Sequence, residues 1–217
     1  MPCRASFYLQ LPESAIETYC WVGTCALIPR SIDIDHVFRV HYEDTAMGRD
    51  ALFVDITVAS KLLRICSTHL ESLVATPPKR PSQLTCAARY MHEADASVLA
   101  GDLNAIEPFD QALHVDSKLS DAYLESGGRE DDKAGHTWIM APSAEMAKFG
   151  TSRMDKLYYH NVQLESFTMF GEDLQLADGD VAKEMCNIDG LAKPWVTDHL
   201  GIRGDFRLAT NTDIVIE

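Results

Sequence analysis

The chain has 217 residues, 46 % apolar and 24 % charged, with a net charge of −14. That length suits one domain spanning 1–217, with a core large enough to need no covalent staples. No apolar run approaches the ~20 residues of a membrane span, and the acid excess excludes a protein that coats nucleic acid by charge alone.

Met1-Pro2-Cys3-Arg4-Ala5 lacks the apolar stretch of a secretory leader, so an intracellular location is expected. Six cysteines (Cys3, Cys20, Cys25, Cys66, Cys86, Cys186) share no spacing and read as reduced thiols. No Cys-x-x-Cys or paired-His spacing supports a zinc site.

The first eighteen residues are poorly patterned. Residues 21–28 are apolar and β-prone, ended by Pro29-Arg30-Ser31, and 37–42 alternate like a strand. After a polar loop over 43–50, residues 51–58 and 62–67 predict a hairpin around Ala59-Ser60-Lys61. Residues 76–81 break structure. Ser82 is the expected N-cap of a helix reaching about Ala94, with Leu84, Ala87, Ala88 and Met91 at helical spacing. Val98 to Ala100 reads as a short buried strand ending at Gly101, which suits a sharp turn or a close backbone approach. Residues 109–113 and 119–124 suggest short helices or turns, and 127–135 a polar loop in which Glu130-Asp131-Asp132 is a solvated charge run. Strands are expected over 154–159, 164–170 and 196–206, with an acidic excursion over 172–183. Many strands and few helices predict an α/β sandwich with helices flanking sheets.

Chemistry-bearing residues gather at the ends of these strands. Asp102 takes a proton or faces a metal, and Asn104 donates to an oxyanion without adding charge. His69 donates to a phosphate oxygen or protonates a leaving group, and Ser72 adds a hydroxyl. Trp138 stacks on a base, walls a pocket or plugs the sandwich edge. Period two puts Asp155 on one face with Leu157 and Tyr159, so it needs a partner; a histidine fits, with Arg153 as the bland alternative. Asp198 and His199 point to opposite sides of an extended backbone, one toward a phosphate and the other toward a hydrated metal. Together these residue types suit metal-assisted phosphodiester hydrolysis.

The ordered set His69-Leu70-Glu71-Ser72, Gly101-Asp102-Leu103-Asn104, Thr137-Trp138, Arg153-Met154-Asp155 and Asp198-His199 resembles the endonuclease/exonuclease/phosphatase superfamily, in particular its tyrosyl-DNA phosphodiesterase (type 2) branch, over residues 19–207. The resemblance implies a four-layer α/β sandwich of two mixed β-sheets flanked by helices, and Mg2+-dependent (or Mn2+-dependent) cleavage of phosphodiester bonds, with 5′-tyrosyl-DNA adducts in DNA repair as the substrate. It implies that Asp102 activates water and that Asn104 and His199 bind the phosphate while Asp155 orients His199. Asp198 would lie near the metal. His69, Leu70, Glu71 and Ser72 would contact a DNA 5′ end, and Trp138 would line that groove.

The family's first two strands, ending in Asn and in a metal-ligating Glu, have no counterpart here, and neither Glu13 nor Glu17 lies in a strand-like run. Ala105 and Ile106 stand where the branch has a basic residue close by, and Met154 replaces an aromatic. The expected partner is a DNA 5′ end or another phosphodiester, without a membrane; the alternatives are a catalytically impaired remnant and a phosphoesterase for a non-nucleic-acid ester. Very weak or absent turnover and marginal solubility are expected of this chain alone. Its expected compartment is nucleus or cytoplasm, the nuclear role being what the branch alone implies. Oligomeric state is not legible.

Overall fold

The structure is a computed structural model that describes residues 23–140, 143–177, 179–189 and 193–208. The opening residues, with Cys3, Cys20, Glu13, Glu17 and Trp21, lie outside the described residues. Among the described residues, eight strands order the fold: β1 (His36–His41), β2 (Asp50–Val58), β3 (Lys61–Thr68), β4 (Ala96–Asp102), β5 (Ser120–Asp121), β6 (Asp155–His160), β7 (Val162–Phe170) and β8 (Gly201–Leu208). Between them run α1 (Arg80–Met91), α2 (Leu113–Asp116), α3 (Ala122–Glu125), α4 (Ser143–Phe149) and α5 (Gly179–Asp189).

The first sheet is mixed, in the order β1-β2-β3-β4-β6-β5; the second is the antiparallel pair β7-β8. β3 and β4 are parallel and β6 is antiparallel to β4. The C-terminal tips of β3 and β4 and the first residue of β6 therefore meet at one end of the sheet. Alternation along each strand divides the two faces. Phe53, Cys66, Leu99 and Tyr158 are neighbours in register and pack with Leu84 and Met91 of α1. Val98, Ala100, Leu157 and Tyr159 turn the other way, onto Phe167, Ile202 and Phe206 of the second sheet. This is an α/β sandwich.

Local chemistry explains where the elements depart from expectation. Residues 23–28 form no strand. Side chains tie that segment down instead: Thr24 donates to Asp50 at 2.8 Å, and Arg39 donates to the Thr24 hydroxyl at 3.0 Å. The β2–β3 turn is two residues, Ala59 and Ser60, both at positive φ, which matches the twist of a tight hairpin. Helix α1 starts at Arg80 rather than after Ser82, because Pro81 suits a first helical turn; the Ser82 hydroxyl bonds back to the Lys79 carbonyl. Gly101 is required by close approach, since a Cβ there would sit 1.8 Å from the Thr68 carbonyl oxygen. Cys25, Cys66, Cys86 and Cys186 are free thiols. No helix among the described residues is long and apolar enough to cross a membrane.

Candidate active site

The tip of β3 is fixed first. Thr68 is buried, shares a 2.7 Å hydrogen bond with the Tyr42 hydroxyl and donates to the Asp50 carbonyl at 2.8 Å. The next turn is laced to the tip of β4. The Leu70 N–H donates to the Asp102 carbonyl at 3.0 Å, and Asn104 Nδ2 donates to the Leu70 carbonyl, also at 3.0 Å. Asn104 sits at φ 47°, a conformation its short polar side chain tolerates, and its backbone N–H donates to Asp102 Oδ1 at 2.8 Å. The other Asp102 oxygen lies 3.3 Å from His69 Nε2.

A strap over residues 137–140 brings in the second pair. The Asp155 N–H donates to the Thr137 hydroxyl at 3.0 Å, and the Leu200 N–H to the Thr137 carbonyl at 2.8 Å. Trp138 and His199 pair as an isolated antiparallel bridge. These contacts set His199 Nδ1 2.6 Å from Asp155 Oδ2. The structure thus gathers His69, Asp102, Asn104, Asp155 and His199 in one cleft, and Asp155 takes His199 rather than Arg153 as its partner.

The two histidines are driven in opposite directions. Burial, aided by the Arg49 charge, holds His69 down at about 4. It is neutral at physiological pH, so its contact with Asp102 is not an ion pair. Burial also opposes charge on His199, but the hydrogen bond and charge of Asp155, with help from Asp102 and Asp198, outweigh it and raise its pKa. Burial, then the neighbouring Asp155 carboxylate, raises Asp102. A carboxylate pushed up and held in a cleft is a stronger base than one in water.

Arg49 is the residue that sequence reasoning missed. It is buried just before β2, its Nη2 lies 3.5 Å from Met47 Sδ, and its charge acts on both His69 and Asp102. Nothing in the polar run 43–50 marks it out.

Several expected contacts are corrected by burial. The Leu70 side chain lies in the core. Glu71 is a buried anchor: it accepts from Thr45 at 2.7 Å, Ala46 N at 3.0 Å and Gln83 at 3.3 Å. Neither side chain is open to a DNA end. Ser72 donates its hydroxyl proton to Met47 Sδ at 3.1 Å. Trp138 is only 7 % exposed, so its face is not free for stacking, and its indole N–H donates to Asp198 Oδ2 at 3.0 Å. Glu130 is not merely solvated; it accepts from Lys156 at 2.7 Å and pairs with Arg153.

The carboxylates of the cleft do not converge on a cation position. Asp102 is engaged by Asn104 and His69, Asp155 by His199, and Asp198 by Trp138. Among the described residues, no group of three or more His, Cys, Asp or Glu is placed to hold a metal ion. The described residues therefore do not fit the Mg2+ or Mn2+ site that the resemblance implies, and Asp198 is turned to the indole instead.

Two packed sheets with flanking helices and polar groups at the strand tips make up the endonuclease/exonuclease/phosphatase fold; a protein of that description from Beutenbergia cavernae superposes with a TM-score of 0.55. Among solved structures, the chain is similar to D. rerio TDP2 complexed with single strand DNA product, with a TM-score of 0.62 and 18 % identity over 84 % of this chain and 71 % of that one. The mannosyl-6-phosphatase Bt3783 of Bacteroides thetaiotaomicron gives 0.61 and 14 % over 83 % and 69 %, and sphingomyelinase C of Streptomyces griseocarneus 0.58 and 14 % over 82 % and 66 %. Against C. elegans TDP2, at 20 % identity and a TM-score of 0.59, 84 % of this chain spans 53 % of that one. No family model and no curated protein matches the sequence.

Proposed function

We propose that this chain hydrolyses phosphate esters, phosphodiesters above all, in the cleft between His69 and His199. The carrying observation is the 2.6 Å Asp155–His199 pair set beside the raised carboxylate of Asp102. Asp102 takes the proton of the attacking water as the water oxygen bonds to phosphorus and the P–O bond to the leaving oxygen breaks; the departing oxygen takes its proton from solvent water, and Asp102 later returns its own to solvent. His199, cationic through Asp155, donates to the phosphate oxygens where negative charge builds. The second Asn104 Nδ2 proton adds a neutral donor. His69 acts only as a neutral ring, because at about 4 its pKa is too low for it to serve as a charged acid near pH 7.

A second, finer reading, in which the ester is nucleic acid rather than a small alkyl phosphodiester, is removal of tyrosine from a DNA 5′-phosphate in DNA repair, with Mg2+ or Mn2+. Its support is the motif order and the likeness to a TDP2 holding a single-stranded DNA product.

The test is turnover of bis(p-nitrophenyl) phosphate by this chain and by Asp102→Asn, with Mg2+, with Mn2+ and with a chelator. Expected is measurable hydrolysis that Asp102→Asn lowers by roughly 10²–10⁴-fold. Equal rates for both chains overturn the assignment of the base. No hydrolysis under any of the three conditions overturns the enzyme reading in favour of an impaired fold.

A further inference from the structure

Loops leave the cleft end of the first sheet between β1 and β2, between β3 and α1, and after β4. Four of their exposed side chains are aliphatic or a thioether: Leu73 is 65 % exposed, Val74 61 %, Ile106 40 % and Met47 36 %. Leu73 also sits at φ 64°, a left-handed conformation that a branched side chain keeps only when its surroundings hold it there.

One buried ion pair does the holding. Arg80 Nε and Nη2 grip the two Asp110 oxygens, each at 2.8 Å, while Arg80 Nη1 donates to the Leu73 carbonyl at 2.7 Å and the Glu71 carbonyl at 3.2 Å. Asp110 Oδ2 in turn accepts from the backbone N–H of Ile106 at 3.1 Å and of Glu107 at 2.9 Å. Leu73 and Ile106 are thereby pinned to the same clamp. They lie three residues from Leu70 and two from Asn104, the pair hydrogen-bonded at 3.0 Å in the cleft, so they stand within roughly 10 Å of it. Ser72 links Met47 to the same rim.

We propose that this rim seats an aliphatic substituent of the phosphate ester handled in the cleft, which makes the preferred substrate an alkyl phosphodiester rather than a polynucleotide. The inference rests on the cleft seating a phosphate, as proposed above. Leu73, Val74, Ile106 and Met47 carry no ring to stack on a base and no charge to meet a second phosphate. Lys79 and Arg80, the cations of the β3–α1 loop and its helix start, are already paired with Asp44 and Asp110. A net charge of −14 repels an extended polyanion. Ordered aliphatic side chains in water gain most from a ligand that covers them.

The experiment compares methyl, hexyl and thymidine 5′-esters of p-nitrophenyl phosphate, which share one leaving group. The hexyl ester should exceed the methyl ester in kcat/KM by about tenfold or more, the scale expected from partial burial of five methylenes. Leu73→Asn, which tolerates the left-handed backbone, and Ile106→Lys should each pull that ratio toward one. The ratio is independent of the folded fraction. Calorimetry with hexylphosphonate and methylphosphonate gives a readout without turnover. Equal ratios in all three chains, or a thymidine ester superior to the hexyl ester, overturn the rim while leaving hydrolysis intact. Tighter binding of hexylphosphonate without turnover upholds the rim and overturns hydrolysis. No binding and no turnover overturn both.

Discussion

Residues 153–156 feed two charged clusters built in opposite ways. Arg153 and Lys156 enter one with Asp121 and Glu130: Arg153 lies 2.9 Å from Asp121 and also pairs with Glu130, and Lys156 lies 2.7 Å from Glu130. Two cations meet two carboxylates there. Burial, then the neighbouring Arg153 charge, lowers Lys156, while Lys156 and Arg153 overcome the effect of burial and lower Glu130. Asp155 enters the other cluster, the cleft, where against burial Asp155, Asp102 and Asp198 raise the pKa of one imidazole, His199, and Asp102 also lies in the field of Arg49. That cluster is partly open and its charges are unbalanced, and the imbalance shows as a raised Asp102 and two histidines pushed apart. Balanced burial holds the sheet together; unbalanced, half-open charge leaves groups able to exchange a proton or bind an anion.

The contrast breaks hardest at Arg153. Arg153→Met strips Asp121, which is 1 % exposed, of its cation, and should cost about 3–5 kcal/mol of stability in urea melts. Turnover per folded molecule should hold. A loss of turnover at unchanged stability would show that the first cluster also serves the cleft.

The next effect is on rate. His199→Ala should lower kcat by about 10²–10³-fold with little change in KM, since a charge-assisted donor acts most strongly in the transition state. Asp155→Asn should repeat much of that loss, and the double variant should add little. Additive losses, or losses that track only the melting temperature, would refute the pair.

A third effect is on stability against pH. His69 has a lowered folded pKa, about 4 against an ordinary 6.5, so the unfolded chain binds its proton more readily. The stability it contributes is complete above pH 6.5 and is lost as pH falls toward 4, by roughly 3 kcal/mol at most. His69→Asn should remove that acid-side loss in melts at pH 7 and pH 5. An unchanged pH slope would show that the ring is not held neutral.

Legibility in the sequence followed the length and regularity of each pattern. The strands over 37–42 and 62–67 announce themselves by alternation, which the burial of β1 and β3 follows, and those over 51–58 and 154–159 by apolar, β-prone runs, which β2 and β6 bury along most of their length. Period two also put Asp155 on the face where His199 meets it. β5 is two residues long and exists only as a partner for β6, so no local pattern foretells it. Residues 23–28 are apolar enough for a strand yet are held by side chains rather than a ladder. The run from His69 to Ser72 misleads for another reason. An irregular turn has no fixed period of facing, and only the structure shows that the successive residues Leu70 and Glu71 both point inward. Arg49 was hidden because a buried cation in a polar loop looks like any exposed one.

The smallest effect sharpens the contrast at Trp138, whose indole meets Asp198 beside the cleft. Trp138→Phe keeps the buried ring and removes the 3.0 Å hydrogen bond to Asp198. Asp198 is exposed, so its released carboxylate is rehydrated and the loss of stability should be about 1 kcal/mol. An open tryptophan that stacked on a base would contribute about 1–3 kcal/mol to binding, equal to a KM rise of roughly 5–150-fold when lost. Trp138 is 7 % exposed and its backbone is bridged to both Ser152 and His199, so it has no face to offer. The KM for a thymidine p-nitrophenyl ester should therefore change by less than about threefold, within what loss of an indirect hydrogen bond allows. A small fall in kcat is expected, because the freed Asp198 lowers the constraint on the adjacent His199. A rise in KM above about tenfold at unchanged kcat would mean that the ring contacts substrate, and would move Trp138 from the wall of the cleft into its binding surface.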